Sequence, residues 1–340
     1  MSASITPHCP VCNSKNKLSK CAGCKVVPYC SKEHQVAHHN SHKAACNAIQ
    51  RAQKNLDREE QALRSHPGDM FMPTNVFEDA VGHFWGIHET RDYMRARYAL
   101  IEALLKVKQF DAVQAAFDHI MDILRLCRSD NMGVRSQAPA LFLRLGKDQE
   151  CYDFIKWWST TGERDDYDWG DMDMPYLDLK GEDVFEPVDL YTEEFHDLGH
   201  TVAITLLKIK LLLDVKALHS STVIGEVIPQ EVLDNIRGQL VTRTVIIEHK
   251  DIMEGKDHAP LIEKLESQVE ELFKSVNSTN KFFWPALLNP RSNLTARPSH
   301  YSPGTKEHMQ LTLQFTYDAW AETPGAIDII RDLVKKGAEN

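Results

Sequence analysis

The sequence lacks the long apolar runs and the excess of basic residues that mark membrane proteins and general nucleic-acid binders. Its most apolar segment, Ile204 to Val215, carries two lysines and an aspartate, whereas a membrane helix needs about 18 uncharged apolar residues. No apolar run stands near the start, so we expect no signal peptide. A net charge of -10 disfavours binding that depends on neutralising phosphates. We expect a soluble protein of the cytosol or nucleus that binds no membrane.

Sequence signatures of common enzymes are also missing. There is no glycine-rich phosphate loop and no Gly-x-Ser-x-Gly motif, and strand patterns are nearly absent. Apolar residues instead recur with the period of a helix. The sequence therefore predicts an all-α chain that is not an enzyme.

Cysteine is scarce outside one short region. Six of the eight cysteines lie between Cys9 and Cys46, interleaved with histidines, and only Cys127 and Cys151 lie elsewhere. A disulfide scaffold does not need histidines at fixed offsets, but a zinc site does. The candidate ligands form four pairs, Cys9-x2-Cys12, Cys21-x2-Cys24, Cys30-x3-His34 and His42-x3-Cys46.

These four pairs supply enough ligands for two zinc ions, because zinc prefers four thiolate or imidazole ligands in a tetrahedron. The x2 pairs suit turns, and the x3 pairs place both members on one face of a helix. Spacing alone leaves open which pairs share an ion. It also leaves two alternatives, a RING-type finger and a site in which His38 replaces His34 as a ligand.

The stretch from Tyr29 to Gln35, followed by His42-Lys43-x2-Cys46, resembles the MYND finger family in its fungal-type variant. The resemblance implies that the pairs interleave. One zinc would then have four protein ligands, Cys9, Cys12, Cys30 and His34, and the other would have Cys21, Cys24, His42 and Cys46. Four protein ligands leave no open position for water, so both ions would be structural rather than catalytic.

The resemblance also implies that the finger docks proline-containing peptides in extended form, beside Gln35 and His39. His39 stands where the family usually has a tryptophan that helps line the groove, which predicts weak affinity. His34 stands where many members have cysteine, and both residues can ligate zinc. We expect a protein-interaction adaptor that serves transcriptional regulation or assembly of a ubiquitin-ligase complex.

Charge is divided unevenly along the chain. Residues 1–50 contain six lysines and one glutamate, 6 − 1 = +5, so the remainder carries −10 − 5 = −15. A basic finger favours partners with acidic or proline-rich segments. Nucleic-acid binding through the same basic finger is an alternative, although the charge of the whole chain makes it the weaker one.

We predict three regions: a finger at residues 1–50, a helical linker at 51–75, and an all-α, tetratricopeptide-like domain at 76–340. Two apolar patterns, one from Tyr93 and one from Val113, are joined by a short connection and predict an antiparallel hairpin. A second hairpin follows at about 139–158, and further helices are predicted at about 191–219, 229–254, 259–276 and 306–335. Residues 163–189 form an acidic insert with two basic and eleven acidic residues, 2 − 11 = −9.

One pattern within the helical domain keeps an enzyme as an alternative. His196 and His200 stand at i and i+4, as the two zinc ligands of metalloproteases do. The second position of the motif holds Asp197 instead of the glutamate that acts as general base, and Gly199 weakens the helix. These histidines suit capping or packing better than catalysis.

Overall fold

The computed structural model describes residues 5–193, 197–225, 245–255 and 257–339. The chain forms two compact units, one made of 5–141 with 168–176 and the other of 142–167 with 177–340. Apart from two strands of two residues each, the regular structure of the described residues is helical, as the sequence predicts. None of the described helices is both long and apolar enough to cross a bilayer.

The first unit begins with a small antiparallel hairpin and one long helix. Strands β1 (Ser19–Lys20) and β2 (Pro28–Tyr29) pair with each other. Helix α1 (Lys32–Arg64) follows at once, and the Ser31 hydroxyl caps it by accepting the His34 N–H. No glycine or proline interrupts α1, so the helix runs from the finger through most of the region predicted as a linker. The predicted boundaries at 50 and 75 remain a prediction.

Helix α1 packs on a helical hairpin of the same unit. After the short helix α2 (Val76–Asp79), helices α3 (Arg91–Leu105) and α4 (Phe110–Leu126) pack against each other, and α1 packs on α3. Ile49, Leu56 and Leu63 recur every seven residues and are buried, which places one side of α1 in the core. The finger is also tied to α4, because Lys20 pairs with Asp111 at 2.7 Å.

The second unit is built around an apolar helix. Helix α5 (Ala138–Arg144) spans the boundary between the units, and α6 (Asp148–Ser159) follows it. Helix α7 (Leu198–Gly225) then packs against α6 and against three of the helices that follow. The remaining elements are α8 (Lys250–Glu254), α9 (Ala259–Thr279), α10 (Phe283–Leu288), α11 (Lys306–Ala321) and α12 (Ala326–Glu339). Of these helices, α9, α11 and α12 pack against α7.

Two lysines of α7 are buried with partners from distant segments. Lys210 forms an ion pair with Asp148, and neither residue exposes more than 2% of its side chain. Lys208 donates to the Val184 carbonyl at 2.6 Å and to the Gln268 side chain at 2.9 Å. A buried charge needs such partners, because it has lost its hydration. These contacts allow α7 to lie in the core although it carries charged residues.

Several predicted helix limits differ from the observed ones. The helix expected from about 191 begins at Leu198, because the Asp197 carboxylate accepts the N–H groups of Gly199 and His200 and thereby caps the helix there. Most of the helix predicted at 229–254 lies outside the described residues. The tetratricopeptide-like character of the helical hairpins remains a prediction.

The acidic insert is irregular but held by many hydrogen bonds, and its parts belong to both units. In the second unit, Lys156 pairs with Glu182 at 2.6 Å and with Glu186 at 2.8 Å. The two hydrogen-bonded carboxylates outweigh the effect of burial and raise the pKa of Lys156. In the first unit, the Tyr176 hydroxyl donates to the Leu124 carbonyl at 3.1 Å. Each part of the insert is therefore anchored to a helix of its own unit.

Candidate metal centre

Two short loops of the finger have the same backbone geometry. In the first, the Asn13 N–H donates to the Cys9 carbonyl at 2.8 Å, and in the second the Lys25 N–H donates to the Cys21 carbonyl at 2.8 Å. Asn13 and Lys25 each follow the second cysteine of a pair and have φ values of 58° and 61°. Each Cys-x2-Cys pair therefore lies on a tight turn that points both sulfur atoms to one side.

The first site joins the first loop to the start of α1. The Cys12 and Cys30 sulfur atoms lie 3.4 Å apart, and His34 Nδ1 lies 3.1 Å from Cys30 Sγ and 3.7 Å from Cys9 Sγ. Cys9 is buried, Cys12 is exposed, and Cys30 and His34 are half-buried. This site is therefore open to solvent on the side of Cys12.

The second site joins the second loop to the next turns of α1. His42 Nε2 lies 3.3 Å from Cys24 Sγ, and the Cys21 and Cys46 sulfur atoms lie 3.9 Å apart. All four ligands of this site are buried. The four pairs thus interleave along the chain, since the first and third pairs meet at one site and the second and fourth at the other.

Both tetrads have the dimensions of a zinc site. Within each, the ligand atoms all lie within 4.8 Å of one another. A tetrahedral ion with bonds of about 2.3 Å to sulfur separates its sulfur ligands by about 3.8 Å, which is close to the distance between Cys21 Sγ and Cys46 Sγ. Thiolate and imidazole ligands in a tetrahedral set are the donors that zinc prefers. The finger holds two zinc ions, one at each tetrad.

The thiols differ in how readily they lose a proton when no metal is bound. Burial raises the pKa of Cys9, but backbone N–H groups, among them that of Cys30, outweigh it and lower the pKa to about 6. Burial raises the pKa of Cys24 to about 12. Because thiolate is the form that binds zinc, the ion must displace the Cys24 proton. Zinc binding at the second site therefore releases this proton and weakens as the pH falls.

Two glutamine amides donate to sulfur ligands of the second site. Gln50 Nε2 lies 3.2 Å from Cys46 Sγ, and Gln35 Nε2 lies 3.8 Å from Cys21 Sγ. Gly23 makes room for the closer contact, since a Cβ atom there would lie 2.6 Å from Gln50 Nε2. Such outer contacts orient metal ligands and partly offset their negative charge. In the described part of the chain, no side-chain amide donates to a sulfur atom of the first site.

The two residues predicted to bind peptide lie on α1 beside these sites. His39 is exposed, and Gln35 is half-buried. The amide nitrogen of Gln35 is used by Cys21, which leaves the amide oxygen as the atom that can meet a peptide N–H. Sequence reasoning overlooked Val36, which stands between them with 67% of its surface exposed. An apolar residue three positions before His39 on a helix is the signal that points to it.

The other histidines have separate contacts. His38 Nδ1 lies 3.0 Å from the Tyr29 hydroxyl, and its ring stacks on His42 at 5.7 Å, so the tetrad contains His34 and not His38. In the second unit, His200 is buried and packs edge-on against Phe154 at 6.1 Å. His196 lies outside the described residues, and the metalloprotease alternative at these two histidines gains no support.

Comparisons with known proteins agree with this geometry over a short part of the chain. Residues 9–46 match the family described as MYND finger. The chain is 42% identical over 55 residues to the "SET domain and MYND-type zinc finger protein 6" of Schizosaccharomyces pombe. That match covers 16% of this chain and spans 11% of the relative's length. No solved structure matches the chain. Residues 9–46 are a MYND-type zinc finger, which is a zinc-binding protein-interaction module.

Proposed function

We propose that this chain is a non-catalytic adaptor of the cytosol or nucleus whose finger docks proline-containing peptides in extended form. The observation that carries the proposal is the exposed patch on α1, where Val36 and His39 lie in solvent beside Gln35. A proline-rich peptide is already extended before it binds and loses little conformational entropy. Gln35 would hydrogen-bond the peptide backbone, and Val36 and His39 would pack against proline.

The zinc chemistry supports an adaptor rather than an enzyme. Each ion has four protein ligands, so no coordination position remains for a water molecule or a substrate. The ions then act by folding the finger and by fixing the face of α1 that the patch occupies. We assign the tetratricopeptide-like helical domain at 76–340 to the same scaffolding role, in transcriptional regulation or in the assembly of a ubiquitin-ligase complex.

A panel of fluorescein-labelled proline-rich peptides, titrated into the intact chain, tests this function. We expect weak binding to the wild type and at least about threefold tighter binding to His39→Trp, because indole offers more apolar area than imidazole. The matched control is His88→Trp, since His88 is exposed in the same unit but far along the chain from the finger. If no peptide binds the wild type or His39→Trp, the patch is not the docking site. The same conclusion follows if His39→Trp and His88→Trp gain affinity equally.

A further inference from the structure

Four exposed side chains form one stripe along the first turns of α1. Lys32, Val36, His39 and Lys43 are separated by four, three and four residues and are all exposed. Residues at these spacings lie on the same face of a helix. The stripe therefore has an apolar and aromatic centre, Val36 and His39, and one lysine at each end.

The charge of this stripe is positive and not compensated locally. In the described part of the chain, neither Lys32 nor Lys43 forms an ion pair. Glu33 is the only acidic residue among the first fifty, and it lies on a different face of α1, about a quarter turn from Lys32. An acidic ligand that lies along the stripe would therefore meet two ammonium groups that form no ion pair with a carboxylate of the described residues.

The separation of the two lysines sets a length for the ligand. Eleven residues of helix at about 1.5 Å each place Lys32 and Lys43 about 16 Å apart. An extended peptide in the polyproline conformation advances about 3.1 Å per residue. Two acidic side chains five residues apart in such a peptide would therefore reach both lysines while the residues between them cover Val36 and His39.

We propose that the stripe selects peptides that carry acidic residues five positions apart, with proline and an apolar residue between them. This inference rests on the proposed docking function and adds the charge and spacing of the partner. A polyanion such as single-stranded nucleic acid suits the stripe less well. Its phosphates follow one another much more closely than the two lysines do, so most of them would meet no lysine of the stripe.

The test uses three labelled peptides of nearly identical composition, titrated into the intact chain by fluorescence anisotropy. The matched peptide is Glu-Pro-Ala-Leu-Pro-Glu, the neutral one is Gln-Pro-Ala-Leu-Pro-Gln, and the clustered one is Glu-Glu-Pro-Ala-Leu-Pro. At low salt we expect the matched peptide to bind about tenfold tighter than the neutral one, because two exposed ion pairs contribute. The clustered peptide, which can reach one lysine only, should lie about midway.

Charge-reversal variants identify the lysines that bind the acidic side chains of the peptide. Lys32→Glu with Lys43→Glu should invert the order, so that the neutral peptide binds tighter than the matched one. The control, Lys15→Glu with Lys17→Glu, makes the same charge change at exposed lysines of the finger outside the stripe and should keep the order. Zinc content measured on each variant shows that its finger is folded.

The outcomes distinguish a failure of the charge and spacing rule from a failure of the proposed peptide docking. If the matched and neutral peptides bind equally, the charge and spacing rule is wrong while peptide docking stands. Equal binding of the matched and clustered peptides overturns the spacing alone. If no peptide binds, the docking function and this inference both fail. A labelled oligothymidine is the last comparison. If it binds tighter than the matched peptide and loses binding when Lys32 and Lys43 are replaced by glutamate, the stripe binds nucleic acid rather than peptide.

Discussion

Gln50 and Cys46 lie one turn apart on α1, and the Gln50 amide donates to the Cys46 sulfur at 3.2 Å. The contact is made at a zinc ligand, where a hydrogen bond from an amide offsets part of the thiolate charge. It gives the second zinc site a feature that the described residues do not supply at the first. The two ions should therefore differ in how fast they leave the finger.

Replacing Gln50 by leucine should speed release of the second zinc about tenfold, since outer contacts of metal ligands commonly change metal affinity by that much. Release into a chromogenic chelator should show two phases in the wild type, with only the slower one accelerated in Gln50→Leu. Gln53→Leu, an exposed change on the same helix, is the control. Equal rates in all three proteins would show that the Gln50 contact does not act on the ion.

Gly23→Ala should have a similar effect without altering the amide itself. The added Cβ atom would lie 2.6 Å from Gln50 Nε2 and 2.9 Å from Cys46 Sγ, so the Gln50 amide must move away and the Cys46 sulfur must shift. The same chelator assay measures the result. Gly86→Ala places its Cβ in open space and should leave the release rates unchanged. A wild-type rate in Gly23→Ala would mean that Gln50 reaches Cys46 by another rotamer.

In the second unit, Arg144 donates two hydrogen bonds of 2.7 Å to the carboxylate of Glu322. Arg144 is 3% exposed, so the Arg144→Met change should lower the free energy of unfolding by about 2 to 3 kcal/mol. Denaturant unfolding measures this loss. Arg331 pairs with Asp328 at the exposed surface of α12, and Arg331→Met should cost less than about 0.5 kcal/mol. Equal losses would contradict the role given to Arg144.

Acid should destabilise the first unit through His119 on α4. Burial, helped by the positive charge of Arg97, lowers the pKa of His119. The unfolded chain therefore takes up the proton first, and stability falls as the pH drops below about 6.5, the pKa of an unperturbed histidine. Unfolding of His119→Gln between pH 7 and 5 should lose less stability than the wild type does. The exposed His88→Gln control should lose as much stability between pH 7 and 5 as the wild type does. The same loss in His119→Gln would contradict this account.

The features that could be predicted from the sequence are those that depend on local spacing. The ligand offsets predict two four-ligand sites, and the helical period predicts the buried faces of α3 and α4. The sequence could not predict the ion pairs between residues far apart in the chain, such as Lys210 with Asp148 or Arg144 with Glu322, because no local pattern links them. The predicted start of α7 at about 191 is too early for a related reason, since the apolar pattern does not show that Asp197 caps the helix.

The count of zinc ions in the intact chain, measured by native mass spectrometry, tests the central claim most directly. The wild type should retain two ions. Cys12→Ala should lose the ion of the first site, Cys24→Ala should lose that of the second, and the double variant should retain none, because each residue belongs to a different tetrad. A wild-type chain with fewer than two ions, or a single variant that still holds two, would contradict the two interleaved sites.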